Sequence, residues 1–183
     1  YELQNRLERE VQQNIAKEVL RFHVIANSDT KEDQKLKMQV KTELLEYMNG
    51  FLKESDGLEE TKETVLGHLT EIKQTAKEIV EERGYEYRVE AKIEKCEFPE
   101  KVYGNCTFPK GEYETLTVTI GAGKGHNWWC VLYPSLCFIN DSYGVVADEK
   151  IEELKKVLTE EEFISIWNNP EERKKVRISW KWF

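Results

Sequence analysis

Two residues with nucleophile chemistry stand four positions apart in this chain, His126 and Cys130. A histidine that takes the proton of a neighbouring thiol makes a catalytic pair. Both lie in Gly121-Ala-Gly-Lys-Gly-His-Asn-Trp-Trp-Cys-Val-Leu-Tyr-Pro-Ser-Leu-Cys137, which also carries three glycines within five residues and the adjacent Trp128 and Trp129. Along a strand, side chains at i and i+4 share a face but stand about 13 Å apart at ~3.3 Å per residue, so a direct hydrogen bond needs a strong bend. Gly121-x-Gly-x-Gly-His126 lacks the Gly-x-Gly-x-x-Gly spacing of a dinucleotide turn, and no Gly-Lys-Ser/Thr opens a helix as in a P-loop. Cys-x6-Cys with one nearby histidine is not a usual zinc set. The stretch reads as a tight glycine turn, where the backbone takes positive φ or approaches another group closely, followed by a strand with packed aromatics. No catalytic residue, metal ligand or cofactor is assigned.

The four cysteines fall into local groups, Cys96 with Cys106 and Cys130 with Cys137. The loops between them hold Pro99 and Gly104 in the first and Pro134 in the second. Local pairing, Cys96–Cys106 and Cys130–Cys137, is one of three possible connectivities. It fits an oxidising, extracytoplasmic compartment. The alternative is four thiols in a reducing one.

Composition narrows the partners. The chain has 183 residues and a net charge of −8. That length supports one domain with a real core. No basic block is present to neutralise phosphates, which disfavours nucleic acid. No run of 18 apolar residues is present, the length a membrane span requires. The chain begins at Tyr1 rather than Met, and a removed signal sequence or anchor is the expectation.

The elements that position the glycine stretch follow from periodicity. Residues 2–17 carry Leu3, Leu7, Val11 and Ile15 at helical spacing, a narrow stripe whose default is core packing. Leu20–Ala26 alternates as a short strand and stops at Asn27-Ser-Asp-Thr30, a cluster of capping residues. Helices follow over about 30–53 (Leu36, Val40, Leu44, Met48, Leu52) and about 58–83 (Val65, Leu69, Ile72, Ala76, Ile79), with Gly84 placed to end the second. Tyr85–Lys95 alternates almost without exception, and Glu114–Ile120 does so strictly. Phe98–Gly111 reads as loop, Asp141–Gly144 as a turn, and Ile151–Leu158 as a short helix. Thr159-Glu-Glu-Glu162 has the form of a capping box. Val176–Trp182 alternates as a last strand. The fold class is α+β, with two long antiparallel helices packed on a mainly antiparallel sheet, an N-terminal helix and short C-terminal helices. Residues 1–19 form the N-terminal helical segment and 20–183 a single domain.

The motifs themselves carry a resemblance. Arg21-Phe-His-Val-Ile-Ala-Asn-Ser-Asp29 with Asp33-Gln-Lys-Leu-Lys37, then Val102-Tyr-Gly104, Pro109-Lys-Gly-Glu-Tyr113 and the Gly121–Phe138 stretch keep the order and spacing of the stage II sporulation protein R family of endospore-forming bacteria. The chain resembles that family over roughly residues 20–140. The resemblance implies a protein exported from the forespore into the space between the forespore and mother-cell membranes. There such proteins activate a membrane-embedded aspartic protease, which processes the precursor of the early mother-cell sigma factor. It implies a signal and protease activator rather than an enzyme, with no small-molecule substrate and no cofactor. An extracytoplasmic Cys130/His126 hydrolase acting on wall peptides is the alternative. Cys130 has a ready partner in Cys137, and a bonded sulfur is no nucleophile. Receptor recognition is expected at Asn127, Trp128 and Trp129, joined by Asn27, Ser28 and Asp29. Tryptophan set in a rigid frame is a favoured binding hot spot. Because neighbouring strand residues point to opposite faces, one tryptophan is expected buried and the other accessible.

Overall fold

A computed structural model describes residues 1–137 and 148–167. The turn expected at Asp141–Gly144 and the strand expected at Val176–Trp182 lie outside these residues. The described residues are α+β and form two compact units, residues 20–94 with 115–133, and residues 1–19 with 95–114, 134–137 and 148–167.

The first of these units holds most of a four-stranded mixed sheet and three helices. Its strands are β1 (Leu20–Ile25), β2 (Val89–Phe98, the last four residues of which belong to the other unit), β5 (Gly111–Ile120, entering from Thr115) and β6 (Asn127–Tyr133). The order is β2-β5-β1-β6. β1 pairs in parallel with β5 and antiparallel with β6. The two strands flanking the glycine stretch are thus not hairpin partners, because β1 lies between them.

Alternation decides the faces. Phe22 and Val24 of β1 stand beside Leu116 and Val118 of β5, all fully buried. The opposite face carries Arg21, His23, Thr115 and Thr117, polar yet buried. Helix α2 (Lys31–Leu52) buries Leu36, Val40, Leu44 and Met48 and packs on β1 and on α4 (Leu69–Glu82). Its start follows the expected chemistry, with the Thr30 side chain accepting from the Asp33 N–H. At about 25 cal/mol per Å², each such fully buried aliphatic side chain contributes roughly 1.5–3 kcal/mol.

The second long helix is interrupted. It forms as α3 (Gly57–Gly67) and α4, with His68 between them at φ −105°, ψ 9°. Gly67 weakens the helix there, and the His68 ring stacks on Phe51 with centroids 4.1 Å apart. Gly84, at φ +85°, ends α4 as expected, and the Tyr85 N–H reaches back to the Val80 carbonyl. That is the 6→1 bond of a glycine-terminated helix.

The other unit contains α1 (Glu2–Ala16), the hairpin β3 (Lys101–Tyr103) with β4 (Cys106–Phe108), α5 (Asp148–Val157) and α6 (Glu160–Ile166). Phe98, Phe108, Tyr113, Leu154, Phe163 and Trp167 are buried here. Thr159 and Glu162 form the reciprocal capping box the sequence announces. Gln12 of α1 donates to the Glu112 carbonyl at 3.1 Å. The apolar stripe of α1 is only partly used, since Ile15 is buried while Leu3 and Leu7 are 68% and 55% exposed.

One expected disulfide is absent. Cys96 and Cys106 are thiols and are not joined in a disulfide. The β3–β4 hairpin sets Cys106 opposite Tyr103, not opposite Cys96, and burial pushes the Cys106 thiol up to about 12. Cys130 and Cys137 are disulfide-bonded. Reduction is therefore expected to add two hydrogens to the intact mass, not four. Without denaturant, alkylation should label Cys96, which is half-exposed, and spare Cys106. A gain of four hydrogens would overturn this pairing.

Candidate functional site

β1 and β6 deliver two turns to the same end of the sheet. The chain leaves β1 through Ala26–Thr30 and enters β6 through Gly121–His126, and the strands pair as far as Ile25 with Asn127. Backbone bonds join the turns, from Lys124 N–H to the Asn27 carbonyl at 3.2 Å and from Gly125 N–H to the Ala26 carbonyl at 2.9 Å. Glycine is required by space at one position. A Cβ on Gly125 would lie 2.2 Å from the Ser28 carbonyl oxygen. At Gly121, φ is +58° and a Cβ would lie 2.3 Å from Asn27 Oδ1.

Side chains complete the clamp. Asn27 Oδ1 accepts from the Ala122 N–H at 2.8 Å. Asp29 Oδ1 accepts from the His126 N–H at 2.7 Å and also from the His126 ring Nδ1. Those bonds from His126 pull the Asp29 carboxyl below its ordinary range. The His126 carbonyl in turn accepts from Lys37 Nζ at 3.2 Å and from Gln34 Nε2 at 3.4 Å. Lys37 is nearly buried. Burial lowers its ammonium pKa, and Asp29 opposes that shift.

Asp33 lies behind the Asn27–Asp29 turn. Its Oδ2 accepts from Asn27 Nδ2 at 2.9 Å and from Ser28 Oγ, and its Oδ1 accepts from the Tyr87 hydroxyl at 2.9 Å. Burial pushes this carboxyl up. The bonds from Ser28, Asn27, Tyr87 and Thr30 outweigh that and leave it below the usual range.

The two tryptophans take opposite faces of β6, and neither is buried; both are half-exposed. Among the described residues β6 is the terminal strand of the sheet, and its first residues are incompletely covered on both sides. Trp128 meets Phe22 edge-on at 6.0 Å, with Lys41 Nζ 4.9 Å above its ring. Trp129 lies against His23, centroids 5.0 Å apart. His23 shares a 2.8 Å hydrogen bond with Thr117, and Arg21 Nε donates to the Cys130 carbonyl at 3.2 Å.

The structure thus brings Asn27, Ser28 and Asp29 against the glycine loop that leads into Asn127, Trp128 and Trp129. It does not assemble a cysteine–histidine pair. Cys130 is bonded to another sulfur, and the His126 ring is turned to Asp29. Sequence reasoning missed Asp33, Gln34, Lys37, Lys41 and Tyr87 as members of the cluster. Asp33, Gln34 and Lys37 had a signal available, since spacings of one and four residues put them on one turn of α2 beside its N-terminus. Tyr87 had none, because its alternation reads only as a strand face.

These features define an α+β protein with a clamped surface loop beside a disulfide-bonded strand. The profile of the family Stage II sporulation protein R (spore_II_R) matches residues 16–143. The Stage II sporulation protein R of Bacillus subtilis (strain 168) is 36% identical over 162 residues, covering 88% of this chain and 72% of that relative. No solved structure matches the chain. The chain belongs to the stage II sporulation protein R family. Among the described residues, no helix is long and apolar enough to cross a membrane.

Proposed function

We propose that this chain is a secreted forespore-to-mother-cell signal. It acts in the space between the two membranes by binding the extracytoplasmic face of a membrane-embedded aspartic protease. Binding switches that protease on, and the precursor of the early mother-cell sigma factor is processed. The observation that carries this reading is family membership across a span that includes both the Asn27–Asp29 turn and the glycine loop. The geometry supports binding rather than catalysis. The loop is held by backbone bonds, by Asn27 and by Asp29, so little ordering entropy remains to be lost on docking. The sulfur of Cys130 is engaged in a disulfide, which removes the thiolate that the hydrolase reading needs. The receptor surface comprises Asn127, Trp128 and Trp129 with Asn27, Ser28 and Asp29.

Reconstitution tests this directly. The receptor protease is placed in a membrane with its substrate on one side, and this protein is added to the other. Precursor cleavage should depend on the added protein. Folded protein that leaves the precursor uncut would overturn the reading. Trp128→Ala should lower activation at least severalfold, because an exposed aromatic in a rigid frame is lost. Its thermal midpoint should change little, since the Trp128 ring is only partly buried. Full activation by a folded Trp128→Ala protein would move the receptor surface elsewhere, first to α1.

A further inference from the structure

Asp33 occupies the third position of α2, where an acidic side chain ordinarily reaches back to the N-cap backbone N–H and completes a capping box. Here it does not. The Thr30 N–H is taken by Ser28 Oγ at 3.2 Å, and the Asp33 carboxylate turns to Asn27, Ser28 and Tyr87. The residue is only 4% exposed, and the side chains that bond its carboxylate, Ser28, Asn27, Tyr87 and Thr30, are all neutral. A buried carboxylate satisfied this way is costly to remove, because every donor it serves is left without an acceptor.

We propose that Asp33 is the positioning residue of the receptor-facing surface, acting through the orientation of the Asn27 amide. This inference rests on the binding reading above. The Asn27 amide meets two opposite demands. Its Nδ2 must face an acceptor, which is Asp33 Oδ2. Its Oδ1 must face a donor, which is the Ala122 N–H. Without the carboxylate the amide is free to turn over. Turned over, it sets an N–H₂ against the Ala122 N–H, donor against donor, and the glycine loop loses its side-chain acceptor at Gly121–Ala122. Tyr87 extends the same device to the segment before β2, because its hydroxyl holds the other carboxylate oxygen and fixes the plane in which Oδ2 points. Asp33 touches no receptor in this account; it sets the loop that does.

The test uses Asp33→Ala, Asp33→Asn and Tyr87→Phe in the whole chain, with amide hydrogen exchange read by NMR and activation read in the two-sided membrane assay. In Asp33→Ala the Ala122 amide should exchange at least tenfold faster while the Val24 and Val118 amides of the sheet keep their protection. Activation should fall at least tenfold. Asp33→Asn should restore both to within about threefold. Its carbonyl oxygen still accepts from Asn27 and Ser28, and the Tyr87 hydroxyl turns to accept from the new amide. Unchanged Ala122 exchange in Asp33→Ala overturns the proposal. So does an Asp33→Asn protein as inactive as Asp33→Ala, which would mean that the negative charge itself is what the receptor needs. If Asp33→Ala does not fold, Tyr87→Phe decides, with faster Ala122 exchange supporting the proposal and wild-type exchange overturning it. A wild-type chain that never activates the protease sinks the binding reading instead, and the exchange measurements still decide the role of Asp33.

Discussion

Gly125→Ala is expected to dislodge the glycine loop and to lower receptor activation more than tenfold. The new methyl would sit 2.2 Å from the Ser28 carbonyl oxygen, 2.6 Å from its carbon and 2.9 Å from the Ala26 Cβ. Two of those three atoms are backbone, so no flexible side-chain end is available to move aside. The loop itself must retreat. Retreat breaks the Gly125 bond to Ala26 and the Lys124 bond to Asn27. Overpacking of this kind costs about 1–3 kcal/mol. The functional loss exceeds what the stability loss alone produces, because Asn127 and Trp128 follow within three residues. Lys124→Ala serves as the control. That side chain is exposed and the substitution leaves the backbone path alone. Denaturant midpoints and the activation assay on both variants are the measurements. A Gly125→Ala protein with wild-type midpoint and wild-type activation would refute the close-packed loop.

Acid should destabilise the protein through His23. The imidazole is 4% exposed. Burial pulls its pKa from 6.5 down to about 4, with Glu94 opposing that shift and Arg21 adding to it. Above about pH 6.5 the ring is neutral in both folded and unfolded chains, and stability does not depend on it. Between 6.5 and 4 the unfolded chain takes up a proton that the folded one refuses, so stability falls as pH falls. Over that window one such group costs on the order of 3 kcal/mol, at 1.36 kcal/mol per pH unit. Below about 4 both forms are protonated and the loss levels off. His23→Gln keeps a partner for Thr117 and cannot titrate. Denaturant unfolding at pH 7.5 and pH 4.5 should show the wild type losing about 2–3 kcal/mol more than His23→Gln. Equal losses would mean that His23 is solvated in the native state. Asp29 and Asp33, whose carboxyls are held low, lose stabilising bonds in both proteins as pH falls, so they cancel in this comparison.

Much of this molecule was legible from local chemistry. The 30–53 periodicity became α2, with Thr30 as the N-cap, and Thr159 with Glu162 closed the capping box of α6. Gly84 ended α4 at positive φ. The alternation of Glu114–Ile120 marked β5. Such signals are readable because a helix cap or a strand face depends on residues within a turn or two of one another. Three errors share a cause. Cys96 and Cys106 are close in sequence, yet a hairpin register turns Cys106 toward Tyr103. The helix from 58 to 83 is periodic throughout, yet it breaks where His68 finds Phe51. The tryptophans alternate as expected, but β6 is terminal among the described strands and both are half-exposed.

What the sequence determined by itself was the fold class, the family resemblance and the residue types of the candidate surface. What only the tertiary structure decided was strand order. β1 inserts between β5 and β6, and His23 meets Thr117 across 94 residues of chain. That insertion carries the Asn27–Asp29 turn to the glycine loop and sets Asp33 within reach of Tyr87, 54 residues away. Periodicity states which side of a strand is apolar and is silent on which strand lies beside it. Neighbours are chosen by how the whole set of apolar faces is buried at once, and that is a property of the assembled sheet.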